Sequence, residues 1–344
     1  MARTGPGLRI AIGVLVAVVA VGLPFQASGF QSLELAYALT FAIAILGLNL
    51  LIGYSGQISL GHGAFLAVGG YVTAIGQQRY GLNYLVTIPL AGIISGLIGF
   101  LVGLPALRLH GIYLALATFA LAVAAPSVMK KPADLTGGVK GIILPPYTSL
   151  VPGLSDDQYF YFLCLLITVI LFLVSYNILR KRPGRAFKAV RDGELAAAAF
   201  GINVSTYKTL AFAISAIYGG VAGSLYATAT GFVSPDSYPF QLSILLLVGA
   251  VLGGIATIEG AIFGGLFTEF LPIFSQQALT PISRQLANAA PAVTQGIVLL
   301  IVMFVARQGI AGLLRQGYAA LRGRLRTDAQ TLKPAGESPP TGIR

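Results

Sequence analysis

Charged residues are scarce in this sequence. Only 10% of its 344 residues are Asp, Glu, Lys or Arg, and 56% are hydrophobic. Because a soluble domain carries about 25% charged residues, this composition excludes an ordinary soluble fold and indicates an integral membrane protein. The 43 glycines agree with that class, since small residues let transmembrane helices approach one another closely.

Residues that build catalytic or metal centres are also scarce. The single cysteine, Cys164, excludes a disulfide within the chain and a cysteine metal cluster. The two histidines, His62 and His110, lie in different segments without neighbouring cysteines or paired carboxylates, so they lack metal-ligand spacing. The sequence has no GxxxxGK(S/T) loop, which argues against ATP hydrolysis by this chain. We therefore expect no catalytic residues, no metal and no cofactor.

Long apolar segments are what the sequence has instead. A helix needs about 20 mostly apolar residues to cross a bilayer, and ten segments approach that length. The third and ninth are rich in glycine, and the ninth is short enough to be re-entrant. We predict an all-α polytopic membrane protein with about ten transmembrane helices. The ten segments are 8–24, 34–52, 60–77, 84–104, 111–128, 159–179, 208–228, 241–257, 260–274 and 291–306.

Lysine and arginine are unevenly divided between the two sides that these spans define. If the N-terminus is cytoplasmic and all ten segments cross, 17 of the 22 lie inside. Cytoplasmic loops carry an excess of these residues, so we predict that both termini are cytoplasmic. The same pattern accounts for the net charge of +11 without a nucleic-acid partner. The cations placed outside are Arg79, Lys130, Lys131, Lys140 and Arg284.

The chain is predicted to form one transmembrane domain, residues 1–327, followed by a tail. The tail, residues 328–344, is rich in Pro, Gly, Ser and Thr and is expected to be disordered and cytoplasmic. The longest outer loop, Met129–Gln158, contains LTGGVKGI. This glycine-rich loop is either a docking surface for an extracytoplasmic partner or a simple connector.

A charged loop, residues 180–208, separates the sixth and seventh segments. Pro183 and Gly184 are predicted to end the preceding helix, and Ala186–Arg191 to form one or two helical turns. Gly193 breaks them, and Glu194–Phe200 forms a second short helix that Gly201 stops. A short helix flanked by cations fits a groove of a partner protein, or else anionic lipid head groups. The residues assigned to docking are Arg185, Lys188, Arg191, Asp192, Glu194, Ala196, Ala197 and Gly201.

The stretch Gly47–Phe65, between the second and third segments, is apolar but carries polar side chains and five glycines. Broken helices at membrane depth are tolerated where they line a cavity or pack inside protein. We therefore assign the substrate pathway to this stretch; the alternative is that its polar groups join helix to helix. The pathway residues are Asn49, Ser55, Gln57, Ser59 and His62.

Acidic residues within the spans are few. Glu34 lies at a helix start, Glu259 in a loop, and Glu269 within the ninth segment. Ion-driven transporters usually carry membrane-embedded acids, so this scarcity favours transport that is driven from outside the chain.

Four stretches together resemble one known family. They are LGLNLLIGYSGQISLGHGAFLAVGGY (Leu46–Tyr71), GIYLALATFA (Gly111–Ala120), LTGG (Leu135–Gly138) and GRAFKAVRDGELAAAAFGINVSTYK (Gly184–Lys208). The sequence is similar to the LivM-type permease subunits of branched-chain amino acid ABC importers. The GINVSTYK element is the most specific of these pieces, because the sister permease type shares the glycine-rich stretch.

The resemblance implies a type II-like importer permease in a bacterial inner membrane. It implies pairing with a second, homologous permease subunit, two cytoplasmic subunits that bind ATP, and a periplasmic solute-binding protein. It also implies that the loop 180–208 couples the permease to the ATPases. One departure from the family pattern is that Ala196, Ala197 and Gly201 fit the Glu-Ala-Ala…Gly spacing, whereas the acid, Glu194, is one residue out of register.

Several functions stay open at this point. The permease could import branched-chain amino acids, or urea, amides or aromatic acids. A stand-alone secondary transporter would need no ATPase, and a membrane enzyme or scaffold would need a catalytic cluster that this sequence lacks.

Overall fold

The computed structural model describes residues 18–109, 111–281, 283–305 and 309–312. Helices make up nearly all of the regular structure in this part of the chain. The elements in chain order are α1 (18–26), α2 (Gly29–Asn49), a π-helical segment (Leu50–Tyr54), α3 (His62–Tyr80), α4 (Tyr84–Ala106), α5 (Ile112–Lys130), α6 (Ala133–Thr136), β1 (Ile142–Ile143), α7 (Asp156–Arg180), α8 (Arg182–Asp192), α9 (Glu194–Ala199), α10 (Val204–Thr230), β2 (Phe232–Val233), α11 (Phe240–Gly253), α12 (Gly260–Leu279) and α13 (Arg284–Val305).

Nine of the ten predicted segments coincide with a helix of this set, and most of the first, 8–24, lies outside the described residues. Seven helical stretches of the described chain are long and apolar enough to cross a membrane. The third and ninth segments, α3 and α12, have 19 and 20 residues but are not apolar enough to be among the seven. The structure thus confirms a mostly helical fold with several candidate membrane helices, whereas the count of about ten spans stays a prediction.

Close glycine contacts hold the centre of the bundle together. Helix α10 packs against α2, α3 and α4. Gly220 lies against Gly69 of α3 with no room for a side chain on either residue, and Ser95 of α4 fills the other side. Such small-residue contacts allow backbones to approach in lipid, where van der Waals packing rather than the hydrophobic effect drives helix association.

The cations predicted to lie outside and those predicted to lie in the cytoplasm are found near opposite ends of α3. At the C-terminal end, Arg79 and Lys140 line one cavity, and Lys130 pairs with Asp236 at 3.0 Å. The two short strands β1 and β2 pair antiparallel in this region, with Ile142 opposite Val233. At the N-terminal end of α3 lie the charged loop 180–208 and the break after α2.

One local prediction about the charged loop was wrong. Pro183 and Gly184 do not end the preceding helix; they lie in the first turn of α8, which spans Arg182–Asp192. Proline is accepted there because an N–H in the first turn has no helical partner in any case. Gly184 packs against the Leu179 backbone of α7, so a side chain at this position would collide with the end of that helix.

Candidate functional site

Helix α8 is amphipathic and lies on the body of the protein. Ala186, Phe187 and Val190 are buried, whereas Arg185 and Lys188 are exposed. The apolar face therefore fixes α8 against the chain, and the opposite face carries its charge.

Helix α9 differs from α8 in that large apolar side chains, and not charged ones, are exposed. Its Leu195 is 89% exposed, and Phe200, just after its last residue, is 87% exposed. Gly193 separates α9 from α8, and Gly201 ends it in a left-handed conformation (φ +77°), as predicted. Of the two alanines assigned to docking, Ala197 is buried and Ala196 is exposed. Two large apolar side chains thus project from a charged loop and pack little against the rest of the chain.

Sequence reasoning did not select Leu195 and Phe200. The available signal was a leucine and a phenylalanine that flank an alanine run inside an otherwise polar loop. Apolar residues at the ends of a short helix normally pack inward, so only the structure shows that these two do not.

Two of the cations assigned to docking have contacts within this chain. The Arg191 guanidinium donates to the Gly53 carbonyl at 3.0 Å and contacts the Asp192 carboxylate at 2.9 Å. The Lys188 ammonium lies 5.7 Å from the centre of the Tyr54 ring, a cation–π contact. Both contacts reach the π-helical segment at the end of α2.

An ion pair joins α9 to α10. The Lys208 ammonium pairs with the Glu194 carboxylate, and the Lys208 side chain is only 5% exposed. A buried cation needs a partner because burial strips it of water, so Glu194 has a clear role within the chain although it is out of register for the family pattern.

Gln57 connects this pair to the break after α2. Its amide nitrogen donates to the Lys208 carbonyl at 3.2 Å and to the Ser55 hydroxyl at 2.7 Å. A small cavity of about 120 Å³ lies where Ser55, Gln57, Arg191, Glu194 and Lys208 meet. Two of the predicted pathway residues, Ser55 and Gln57, are therefore neighbours of two predicted docking residues, Arg191 and Glu194, whereas Ser59 and His62 do not line this cavity.

All five pathway residues are buried against their own chain. Asn49 donates to the carbonyls of Gly254 and Thr257, at 3.2 and 2.8 Å, and accepts from the Ala256 N–H at 2.7 Å. Ser59 accepts a hydrogen bond from the Gly61 N–H at 3.3 Å. These contacts join segments of the chain to one another, and the pathway role of the residues stays a prediction.

His62 lies among helices rather than in a metal site. It is fully buried, and its Nδ1 lies 3.4 Å from the Ser215 hydroxyl of α10. Among the residues that the structure describes, no three His, Cys, Asp or Glu side chains are grouped so that they could hold a metal ion.

Comparison with known proteins identifies the family. Residues 33–306 match the family described as branched-chain amino acid transport system / permease component. The chain belongs to this family. Its members are transport permeases and not enzymes.

Two LivM proteins and a LivH protein are among its relatives. The high-affinity branched-chain amino acid transport system permease protein LivM of Salmonella typhimurium is 35% identical over 76% of this chain and 66% of its own length. LivM of Escherichia coli is 33% identical over 77% of this chain and 67% of its own length. LivH of Salmonella typhimurium is 25% identical over 79% of this chain and 91% of its own length. The chain thus spans about two thirds of the length of the LivM proteins.

Proposed function

We propose that this chain is one of two permease subunits of an ABC importer for branched-chain amino acids. The proposal includes coupling to ATPase subunits. The observation that supports this coupling is the pair of exposed apolar side chains, Leu195 and Phe200, on a loop that is otherwise charged. Exposed apolar groups within a polar rim are typical of sites that bind another protein or a membrane surface, and the family's ATPase subunits are the partner that we assign to this pair. The substrate is taken from the names of the LivM and LivH relatives.

The proposed assembly has a second, LivH-like permease beside this chain, two cytoplasmic ATPases and a periplasmic solute-binding protein. In it the permease crosses the inner membrane with about ten helices and has both termini in the cytoplasm. The charge count supports this orientation, because the charged loop and the outer cations Arg79 and Lys140 lie at opposite ends of α3. The outer cavity beside Arg79 and Lys140 then faces the binding protein.

The coupling mechanism follows from two features of the loop, its exposed apolar side chains and its ion pair with α10. The ATPases would hold α9 by Leu195 and Phe200, and α9 is tied to α10 by the Glu194–Lys208 pair. A change in the ATPase dimer would then shift the permease between outward-open and inward-open states, with nucleotide and loaded binding protein biasing the equilibrium. Selection by the binding protein means that the pathway itself needs no tight site.

A pull-down tests the proposal. The tagged chain is purified from solubilised native membranes, and its partners are identified by mass spectrometry. We expect a pair of ATPase subunits and a second permease of this family, and the ligand of the co-encoded binding protein is expected to be a branched-chain amino acid. Recovery of this chain alone, in a detergent that keeps known ABC complexes intact, contradicts the proposal and favours a self-contained transporter.

A further inference from the structure

The π-helical segment Leu50–Tyr54 is held from two sides. On one side, α8 reaches it through the hydrogen bond from Arg191 to the Gly53 carbonyl and the contact of Lys188 with the Tyr54 ring. Two cations that lie three residues apart on α8 thus bind the same five-residue segment, so a movement of α8 acts on this segment at two points.

On the other side, the turn between α11 and α12 is fixed to the same segment. Asn49 makes three hydrogen bonds to residues of this turn, to Gly254, Ala256 and Thr257. Ala256 is the one non-glycine residue in the described chain with a positive φ, +61°. That conformation costs free energy for a residue with a Cβ, so the bonds of Asn49 hold the turn in a strained arrangement.

Gly53 lies between these two attachments. A Cβ on Gly53 would collide with the Asn49 side-chain oxygen and with the Ala256 nitrogen, while its carbonyl accepts from Arg191. This carbonyl belongs to the last turn of a helix, where carbonyls lack helical partners and the helix dipole favours a cation. π-helical turns are often found at functional sites, where the wider turn permits local adjustment.

We propose that Arg191 is a positioning residue that transmits movement of α8 to the Leu50–Tyr54 segment. A displacement of α8 then shifts the end of α2 and, through Asn49, the turn between α11 and α12. Arg191 suits this role because its planar guanidinium holds the Gly53 carbonyl and the Asp192 carboxylate at once. The inference deepens the proposed function and rests on it, since the ATPases would hold α9 and thereby move α8, which Gly193 joins to α9.

The first test compares Arg191→Gln with Arg182→Gln in the complete complex, reconstituted in proteoliposomes with its binding protein. Arg182 is an exposed cation at the other end of α8, so the control changes the same charge on the same helix. We expect Arg191→Gln to lower the amount of substrate imported per ATP hydrolysed by at least about fivefold. Arg182→Gln is expected to keep the wild-type value of this import ratio, the amount of substrate imported per ATP hydrolysed.

Three outcomes separate the possible failures. A wild-type ratio in Arg191→Gln overturns the inference. Loss of the ATPase subunits from Arg191→Gln alone also overturns it, because Arg191 then serves docking, and the proposed function is left intact. Absence of ATPases from the wild-type complex contradicts the proposed function itself.

Arg191→Lys provides a second test in case Arg191→Gln does not fold. Lysine keeps the charge at this position, but it lacks the planar fork by which Arg191 holds the Gly53 carbonyl and the Asp192 carboxylate at once. We expect Arg191→Lys to keep its ATPase subunits and to import less substrate per ATP hydrolysed than the wild type does. A wild-type ratio in Arg191→Lys overturns the inference.

Discussion

Helices α8 and α9 are consecutive in one loop, yet they relate to the rest of the molecule in opposite ways. Three of the α8 residues that could bind a partner, Lys188, Arg191 and Asp192, have contacts within the chain. Leu195 of α9 and Phe200, just after its last residue, are instead almost completely exposed. The difference favours a division of roles in which Lys188 and Arg191 connect α8 to the permease, whereas Leu195 and Phe200 bind another protein.

Removing the apolar pair tests this division of roles most directly. We expect Leu195→Ser/Phe200→Ser to lose most of its ATPase subunits in a pull-down while the permease still folds, because neither side chain packs inside the chain. Burying a Leu or Phe side chain contributes about 1.5–3 kcal/mol each, which corresponds to at least about a hundredfold in affinity for the pair.

The matched control is Ala198→Ser, an exposed position on the same helix. It changes polarity without removing a large apolar surface, so full recovery of the ATPases is expected. Equal recovery from the double variant and the wild type would mean that α9 is not the docking element, and the charged face of α8 would take its place.

A second prediction concerns the ion pair that fixes α9 to α10. Glu194→Ala leaves the Lys208 ammonium buried without its carboxylate, so we expect a lower unfolding temperature of the purified permease in detergent. Breaking a buried pair typically costs about 3–5 kcal/mol, and the 37% exposure of Glu194 puts this case at the lower end or below it. Glu194→Ala/Lys208→Met is expected to recover much of the loss, because no uncompensated charge remains.

These two variants separate a role of Glu194 inside the permease from a role in docking. If Glu194→Ala unfolds at the wild-type temperature but loses the ATPases, the carboxylate acts toward the partner, as the family pattern implies. If the double variant is no more stable than the single variant, the contribution of Glu194 does not come from Lys208.

Local signals in the sequence predicted part of this site. Gly201 ends α9 as expected, since glycine adopts the left-handed conformation without strain, and the break between α8 and α9 falls at Gly193, also as expected. The prediction for Pro183 was wrong because a proline after an apolar helix marks either the end of that helix or the start of the next, and only the packing of Gly184 on Leu179 decides between them.

The contacts between distant residues could not be predicted in this way. Arg191 meets Gly53 across 138 positions, and Gln57 meets Lys208 across 151. Each residue is an ordinary polar member of its own segment, and no periodicity relates one segment to the other. The sequence therefore indicated two sites, and the fold brings Ser55 and Gln57 of one beside Arg191 and Glu194 of the other.

The weakest of these effects is expected for Lys188. Its ammonium is solvated on an exposed helix face and lies over the Tyr54 ring at 5.7 Å, and such exposed cation–π contacts contribute about 0.5–1 kcal/mol. Lys188→Gln should therefore lower the import ratio by less than Arg191→Gln does, by about twofold to fivefold at most. Tyr54 is itself buried in the hydrophobic core, so Tyr54→Leu is expected to lower the ratio by itself through lost packing. If Lys188 acts through the Tyr54 ring, Lys188→Gln should have a smaller effect in the Tyr54→Leu background than in the wild type; an unchanged effect would show that Lys188 acts elsewhere. The ratio of substrate imported to ATP hydrolysed, measured for the two single variants and the double variant, gives the interaction energy directly.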